Sequence, residues 1–375
     1  MPMPAGHPDR LRVVLDATPL LGVRTGIGRY TEHLLAQLAG RPDLSVAATA
    51  FTLRGWRRLA AELPSGVPAR TRPAPARLLR ALWRSVDVPP VEWLAGRADV
   101  VHGTNFVLPP SRHAAGVVSV HDLAFVTHAG TLHPANADLS TLVPRALRRG
   151  ATVCTLAEAT RIRISDLFDV PLERIFVAPP GVDQDWMNAT APDAGLRARL
   201  DLPADYLVFV GTREPRKGLP TLLAAHRVLR SRIGAACPDL VLIGQQGWGD
   251  THDLHDGVRV AGYLPQGVLP RVVAGARALV LPSVAEGFGM PVIEALAAGC
   301  AVVASDIPVL AEATGDAGIR FPVGDVGALA DALSRVLDGA APGVDERRAQ
   351  AARFTWQRCA DQNVAAYRYA ATSRG

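Results

Sequence analysis

The chain has 375 residues, 49% apolar and 20% charged, with a formal net charge of +5. Length and apolar content suffice for two buried cores, so two domains are expected. An aromatic content of 5% and the lack of a recognised binding motif argue against a nucleic-acid partner, and Cys154, Cys237, Cys300 and Cys359 form no C-x-x-C pair, against a zinc module or disulfide framework.

The opening residues, MPMPAGHPDR, lack the apolar region of a secretory signal. Strand-like runs follow at 12–15, 45–51, 98–102, 117–120, 151–155 and 175–178, separated by helical stretches near 29–38, 76–86, 135–149 and 160–168. Such alternation implies a doubly wound parallel sheet. Residues 1–185 carry 21 basic against 16 acidic side chains, many of them in a cluster at Arg54, Arg57, Arg58, Arg70, Arg72, Arg77, Arg80 and Arg84. A solvated face is the plain reading of that cluster, and a surface for anionic lipid head groups or an acidic acceptor is the functional one. The rhythm lapses over 183–205, where the domain boundary is placed, giving domains 1–185 and 186–375.

A second series restarts with strands at 206–210, 240–243, 258–261, 278–281, 301–304 and 318–321, linked by helices near 219–229, 269–276, 291–298, 309–313 and 326–337. The tail, 346–372, reads as one or two helices able to pack back toward the first domain. The expected fold class is therefore α/β, with two doubly wound Rossmann-like domains facing a central cleft. The apolar run 290–304 is broken by Glu294 and is too short to cross a bilayer. A cytoplasmic chain is expected, with peripheral contact at the inner membrane face left open.

The stretch 282–299, PSVAEGFGMPVIEALAAG, carries the most chemistry. A strand precedes it and Pro291 is expected at the first helical position, giving strand, loop, helix. A helix start leaves backbone N–H groups unpaired and bears about half a positive charge, so the amides near Val292 and Ile293 are expected to suit an anion such as phosphate. Glu286 falls on the loop and Glu294 one turn inside the helix. Acidic groups beside an anion site suit hydroxyls, and a nucleotide sugar brings both. The carboxylates of glycoside hydrolases flank one bond at roughly 5 to 9.5 Å, whereas eight helical residues rise about 12 Å, so the two acids serve separate groups. The plain alternative makes Glu294 a first-turn glutamate favoured by the helix dipole.

Lys217 is the single lysine of the chain. With Arg216 it lies between a buried strand and an amphipathic helix, at the sheet edge where open α/β folds bind ligands. A guanidinium fork and a compact ammonium suit a diphosphate, although two basic loop residues are ordinarily solvated surface. Gly26 and Gly28, in TGIGRY after the first strand, would let backbone amides approach a phosphate. The dinucleotide fingerprint is not completed at Thr31, which speaks against a dehydrogenase. His121 and Asp122 end another strand, and Asn105 and Phe106 follow a third. The histidine suits a sugar hydroxyl or a proton transfer, or merely caps its loop. Asp183 and Asp185 form a D-x-D pair, and His252, Asp253, His255 and Asp256 a second metal-like pattern. Neither has converging ligands in the sequence, and no metal is expected.

Together TGIGRYT, SVHDL, PPGVD, EPRKG and EGFGMPVIE, spread over nearly the whole chain, resemble glycosyltransferase family 4, whose members have the GT-B architecture of two Rossmann-like domains. The resemblance implies that Glu294 binds the ribose hydroxyls of a nucleotide-sugar donor, and that Glu286 with the amides of Phe288, Gly289 and Met290 holds the transferred sugar. It implies that Arg216 and Lys217, helped by the loop at Gly26 and Gly28, neutralise the leaving diphosphate in place of a metal. His121 would contact the sugar near its reacting carbon. Val292 belongs with the donor-binding set, and Asn105, Phe106 and Asp122 with the acceptor side. Retention of anomeric configuration is implied, with no cofactor beyond the donor and with a saccharide, lipid-linked or small-molecule hydroxyl acceptor. HGTNFVLPP and TGIGRYTEHLL are most similar to the mannosyltransferase branch, which makes GDP-mannose the first donor expectation. The chain departs from the family at Gly218 and Pro180, where many members have asparagine. A nucleotide-sugar epimerase and a non-catalytic nucleotide-sugar binding protein are the alternatives.

Overall fold

The computed structural model describes residues 10–22, 26–127, 136–247, 254–265 and 267–373. The chain divides into two units, Met1–Pro180 with Trp356–Gly375, and Gly181–Thr355. The first holds β1 (Leu11–Asp16), β2 (Leu44–Thr49), β3 (Val100–Gly103), β4 (Ala115–Ser119), β5 (Thr152–Thr155) and β6 (Ile175–Val177), in the order β2-β1-β3-β4-β5-β6. The second holds β7 (Tyr206–Val210), β8 (Asp239–Ile243), β9 (Val258–Gly262), β10 (Ala278–Leu281), β11 (Ala301–Ser305) and β12 (Ile319–Phe321), in the order β12-β11-β10-β7-β8-β9. All pairings between these strands are parallel. Central strands such as β7 are buried along their whole length, as a parallel sheet covered by helices on both faces requires.

The expected strands are all present, with ends displaced by no more than two residues. One helix differs in a way that matters. Residues Gly26–Leu38 are helical, so Gly26 and Gly28 form the first turn of a helix rather than a phosphate-embracing loop. The cause is a buried stripe of Tyr30, Thr31, Leu34, Leu35 and Leu38 that extends back to Gly28, with Ile27 packed beside the core. Thr25 and the 23–25 stretch before it lie outside the described residues. The boundary between units falls after Pro180 rather than after 185, and the arrhythmic stretch 183–205 contains two short helices, Gln184–Met187 and Ala194–Arg199.

The last helix, Trp356–Thr372, belongs to the first unit. A chain of buried polar contacts fixes it there. Tyr367 Oη lies 2.8 Å from His102 Nδ1, and His102 Nε2 lies 2.8 Å from Ser119 Oγ on β4. Asn363 Nδ2 donates to Tyr30 Oη at 3.1 Å, and His33 stacks on Trp356 with centroids 4.3 Å apart. Burial pushes the His102 pKa down to about 3, so the ring stays neutral within this chain of contacts.

Candidate functional site

In the second unit the chain lays down β7, β8 and β9 toward one edge and then returns to place β10 on the other side of β7. The loops leaving the carboxyl ends of β7 and β10 therefore diverge around one reversal point, the place where open α/β sheets bind ligands. The β7 loop carries Glu214, a tight turn over Pro215–Lys217, and Gly218, which starts the Leu219–Ile233 helix. The β10 loop carries Ser283 and Glu286 and enters the Met290–Ala297 helix through Gly289.

Gly218 explains how the loops meet. Its φ is +66°, and a Cβ there would sit 2.0 Å from the Pro282 carbonyl oxygen, a contact no side chain tolerates. This is the physical reason for glycine at position 218. The Val284 amide then donates to the Arg216 carbonyl at 2.9 Å, tying loop to loop.

Side chains converge across that seam. Lys217 Nζ donates to Glu286 Oε1 at 2.7 Å, and Ser283 Oγ donates to the same oxygen at 2.6 Å. Arg216 Nε donates to Glu214 Oε2 at 2.9 Å, while its Nη1 donates to the Ala285 carbonyl at 3.3 Å and lies 3.5 Å from Glu286 Oε2. The Glu286 side chain is only 6% exposed. Burial pushes its pKa upward, but the charges of Lys217 and Arg216, with hydrogen bonds from Lys217 and Ser283, outweigh burial and hold it below the ordinary value. Lys217 is thus not the open cation expected from the sequence: it is 8% exposed and already paired.

The helix entry supplies the other half of the site. Gly289, not Met290, caps the helix, so Pro291 occupies its second position, one later than expected. The Val292 amide is hydrogen-bonded to the Gly289 carbonyl at 2.8 Å, which removes it from the set of open donors. Among the described residues the amides of Phe288, Gly289 and Met290 have no acceptor. The Phe288 ring faces inward, edge-on to Phe354 at 5.2 Å, so only its backbone is open to a ligand. Glu294 is 3% exposed, one turn into the helix. Ser283 and Glu214 were not singled out from the sequence, although both stand inside the quoted motifs.

The first unit brings a separate group together at the carboxyl ends of β1, β3 and β4. His121 Nε2 lies 2.8 Å from the Thr104 carbonyl. A carbonyl only accepts, so that nitrogen carries the proton and Nδ1 is left as an acceptor. The ring is edge-on to both Tyr30 and Phe106 at 5.3 Å, and burial lowers its pKa against the opposing effects of Thr104 and Asp122. His121 is therefore a neutral group with a fixed tautomer, not a ready proton donor. Phe106 adopts φ +60° and is buried, Asn105 is exposed, and Asp122 Oδ1 accepts from the Ala124 amide at 3.0 Å. Phe106 is thus closed into local packing, while the half-buried Asp122 holds the start of the short helix Ala124–Thr127.

The metal-like patterns resolve differently. Asp185 lies in a short helix that begins just after Asp183. His255 Nε2 lies 2.9 Å from His226 Nδ1, while His252 and Asp253 lie outside the described residues. Among the described residues no three His, Cys, Asp or Glu side chains are grouped to hold a metal ion. A cavity of about 320 Å³ in the first unit lies at the amino ends of β3 to β5, the edge opposite to the one parallel sheets use for ligands.

Comparison with known proteins gives the same picture. Residues 24–186 match the family model described as Glycosyltransferase Family 4, and residues 204–339 the model Glycosyl transferases group 1. The chain is 31% identical over 284 residues to an O-antigen chain mannosyltransferase B of Escherichia coli, covering 72% of this chain and 74% of that one. It is 31% identical over 305 residues to a glycogen synthase of Mycobacterium tuberculosis, covering 74% of this chain and 70% of that one. Among solved structures, Anabaena HepE in complex with UDP and glucose superposes with a TM-score of 0.70 at 16% identity, covering 95% of this chain and 99% of that one. The chain belongs to glycosyltransferase family 4 and is a glycosyltransferase with the two-domain GT-B fold.

Proposed function

We propose that this enzyme moves a sugar, mannose from GDP-mannose first, from a nucleotide diphosphate to a hydroxyl acceptor, with retention of configuration and without a metal. The observation that carries this reading is the convergence of Arg216 and Lys217 on Glu286 at the β7/β10 reversal, beside the open amides of Phe288, Gly289 and Met290. A bound diphosphate takes the place of the Glu286 carboxylate before the two cations, one anion replacing another. Glu286, still held by Ser283, then accepts hydrogen bonds from sugar hydroxyls. Glu294 takes the ribose hydroxyls.

When the bond from the anomeric carbon to the phosphate oxygen breaks, charge grows on that oxygen, where a guanidinium and an ammonium are already placed. The acceptor hydroxyl forms its bond on the same face, and its proton passes to the departing phosphate, so the products are a glycoside and a nucleoside diphosphate. In the first unit His121 offers Nδ1 to a hydroxyl proton, and Asn105 is the exposed acceptor-side candidate.

The name of the Escherichia coli relative supports mannose, and the UDP complex of HepE brings UDP-sugars into the panel to be tested. Incubation with GDP-mannose, UDP-glucose and simple glycoside or lipid-linked acceptors, with and without a chelator, is the test. Expected is nucleoside diphosphate release with GDP-mannose, unaffected by chelation, and an α-anomeric product by NMR. An inverted anomer, or turnover that stops on chelation, removes the corresponding part of the proposal.

A further inference from the structure

The segment 53–86 carries eight arginines and a single acidic residue, Glu62. Within it the helix Ala76–Trp83 buries only a narrow stripe, Leu79 and Trp83. Trp83 packs edge-on against Phe51 at 5.2 Å and donates from Nε1 to the Pro89 carbonyl at 3.1 Å. The opposite side carries Arg77, Ala81 and Arg84, exposed and polar as on an ordinary surface helix, but the flank beside the buried stripe is apolar and open. Leu78 is 56% and Leu82 38% exposed, and their spacing of four places them side by side. Val86, one turn further on, is 46% exposed.

Arg77 and Arg84, seven residues apart and so stacked on one side of the helix, border this apolar stripe along one edge, and among the described residues neither has an ion-pair partner. The acids nearby are already engaged: Asp138 by Arg80, and Asp87 by Arg145 at 2.9 Å and Arg149 at 3.3 Å. The Ala74 amide donates to the Thr52 carbonyl at 3.0 Å, which brings the loop with Leu53, 58% exposed, and Arg54 and Arg57 to the entrance of the same helix.

We infer that this face docks on a phospholipid bilayer bearing anionic head groups, with Leu78 and Leu82 entering the acyl boundary and Arg77 and Arg84 meeting the phosphates. Exposed leucines beside a row of arginines that have no ion-pair partner among the described residues match a surface with an apolar interior under an anionic skin. A second copy of the chain would set like charges against each other on this face.

The test is co-sedimentation of the full chain with vesicles of phosphatidylcholine alone or with about a third phosphatidylglycerol, a composition that gives a negative surface potential. Binding is expected to the anionic vesicles only. The pair Arg77→Gln with Arg84→Gln should weaken it roughly tenfold or more, and the pair Leu78→Ser with Leu82→Ser by about tenfold, while nucleotide affinity stays that of the unaltered protein in both. No binding, equal binding to neutral vesicles, or loss with the arginine pair but not the leucine pair overturns the inference. So does sedimentation showing a dimer that the leucine pair dissolves, which would make the face an interface between copies.

Discussion

Glu286 stays ionised because two cations answer its burial, and this makes Lys217 a residue whose removal has two separable effects. In Lys217→Ala the carboxylate keeps its burial and loses its main counter-charge, so its pKa rises and the acid limb of the pH–rate profile moves to higher pH. Turnover falls roughly a hundredfold or more, the scale of losing one preorganised charge at a developing oxyanion, and by a larger factor than donor affinity. Lys217→Arg recovers part of the loss, since a planar fork does not replace a compact ammonium. Steady-state kinetics across pH on the three proteins checks this, and an equal loss in turnover and affinity with an unmoved acid limb would assign Lys217 to plain binding. Gly218→Asn places a Cβ 2.0 Å from the Pro282 oxygen. Separation of the loops and a drop in donor affinity are expected, read by titration calorimetry. Lys217 and Glu286 were legible in the sequence because each stands at a fixed place in a strand-loop-helix motif. Their pairing was not, since it depends on the register of two loops 69 residues apart, and Ser283 enters only through that geometry.

At the level of elements, strand and helix positions were legible wherever an apolar run or stripe fixed them, and illegible at entries and exits. The glycines at 26 and 28 suggested a loop, yet the buried stripe behind them carries the helix back to Gly26. Pro291 marked a helix start correctly to within one residue, but the turn from Gly289 uses up the Val292 amide. The partner of the last helix was beyond the sequence altogether, because Tyr367, His102 and Ser119 are distant in the chain and meet only through the sheet. Tyr367→Phe leaves the buried His102 Nδ1 without its partner, at a cost of about 1–3 kcal/mol. Scanning calorimetry should show a lower unfolding midpoint with unchanged nucleotide affinity. An unchanged midpoint would show that the contact adds nothing to the docking of that helix.

For the molecule as a whole, alternation along the chain revealed two parallel sheets, but strand order, and with it the β7/β10 reversal, emerged only from the crossovers. Buried titratable groups give the fold a pH dependence of definite sign. His102, with a folded pKa of about 3 against 6.5 for the free side chain, leaves the unfolded chain holding an extra proton between those values, so stability is lost as pH falls. His121, His226 and His255 are also lowered, chiefly by burial, and act in the same direction. Asp16, raised to about 6 by burial, opposes them below that pH, since the folded state then holds the extra proton. Four histidines against one aspartate give a falling midpoint from about pH 7 to 5 in thermal melts; a rising midpoint would contradict the burial of those rings. Nucleotide binding at the β7/β10 reversal is tested most directly by titrating GDP and UDP into Glu294→Ala. Affinity for the preferred nucleotide is expected to fall by about 1.5–3 kcal/mol, roughly ten- to a hundredfold, and affinity equal to that of the unaltered enzyme for both nucleotides would contradict a donor site on this helix.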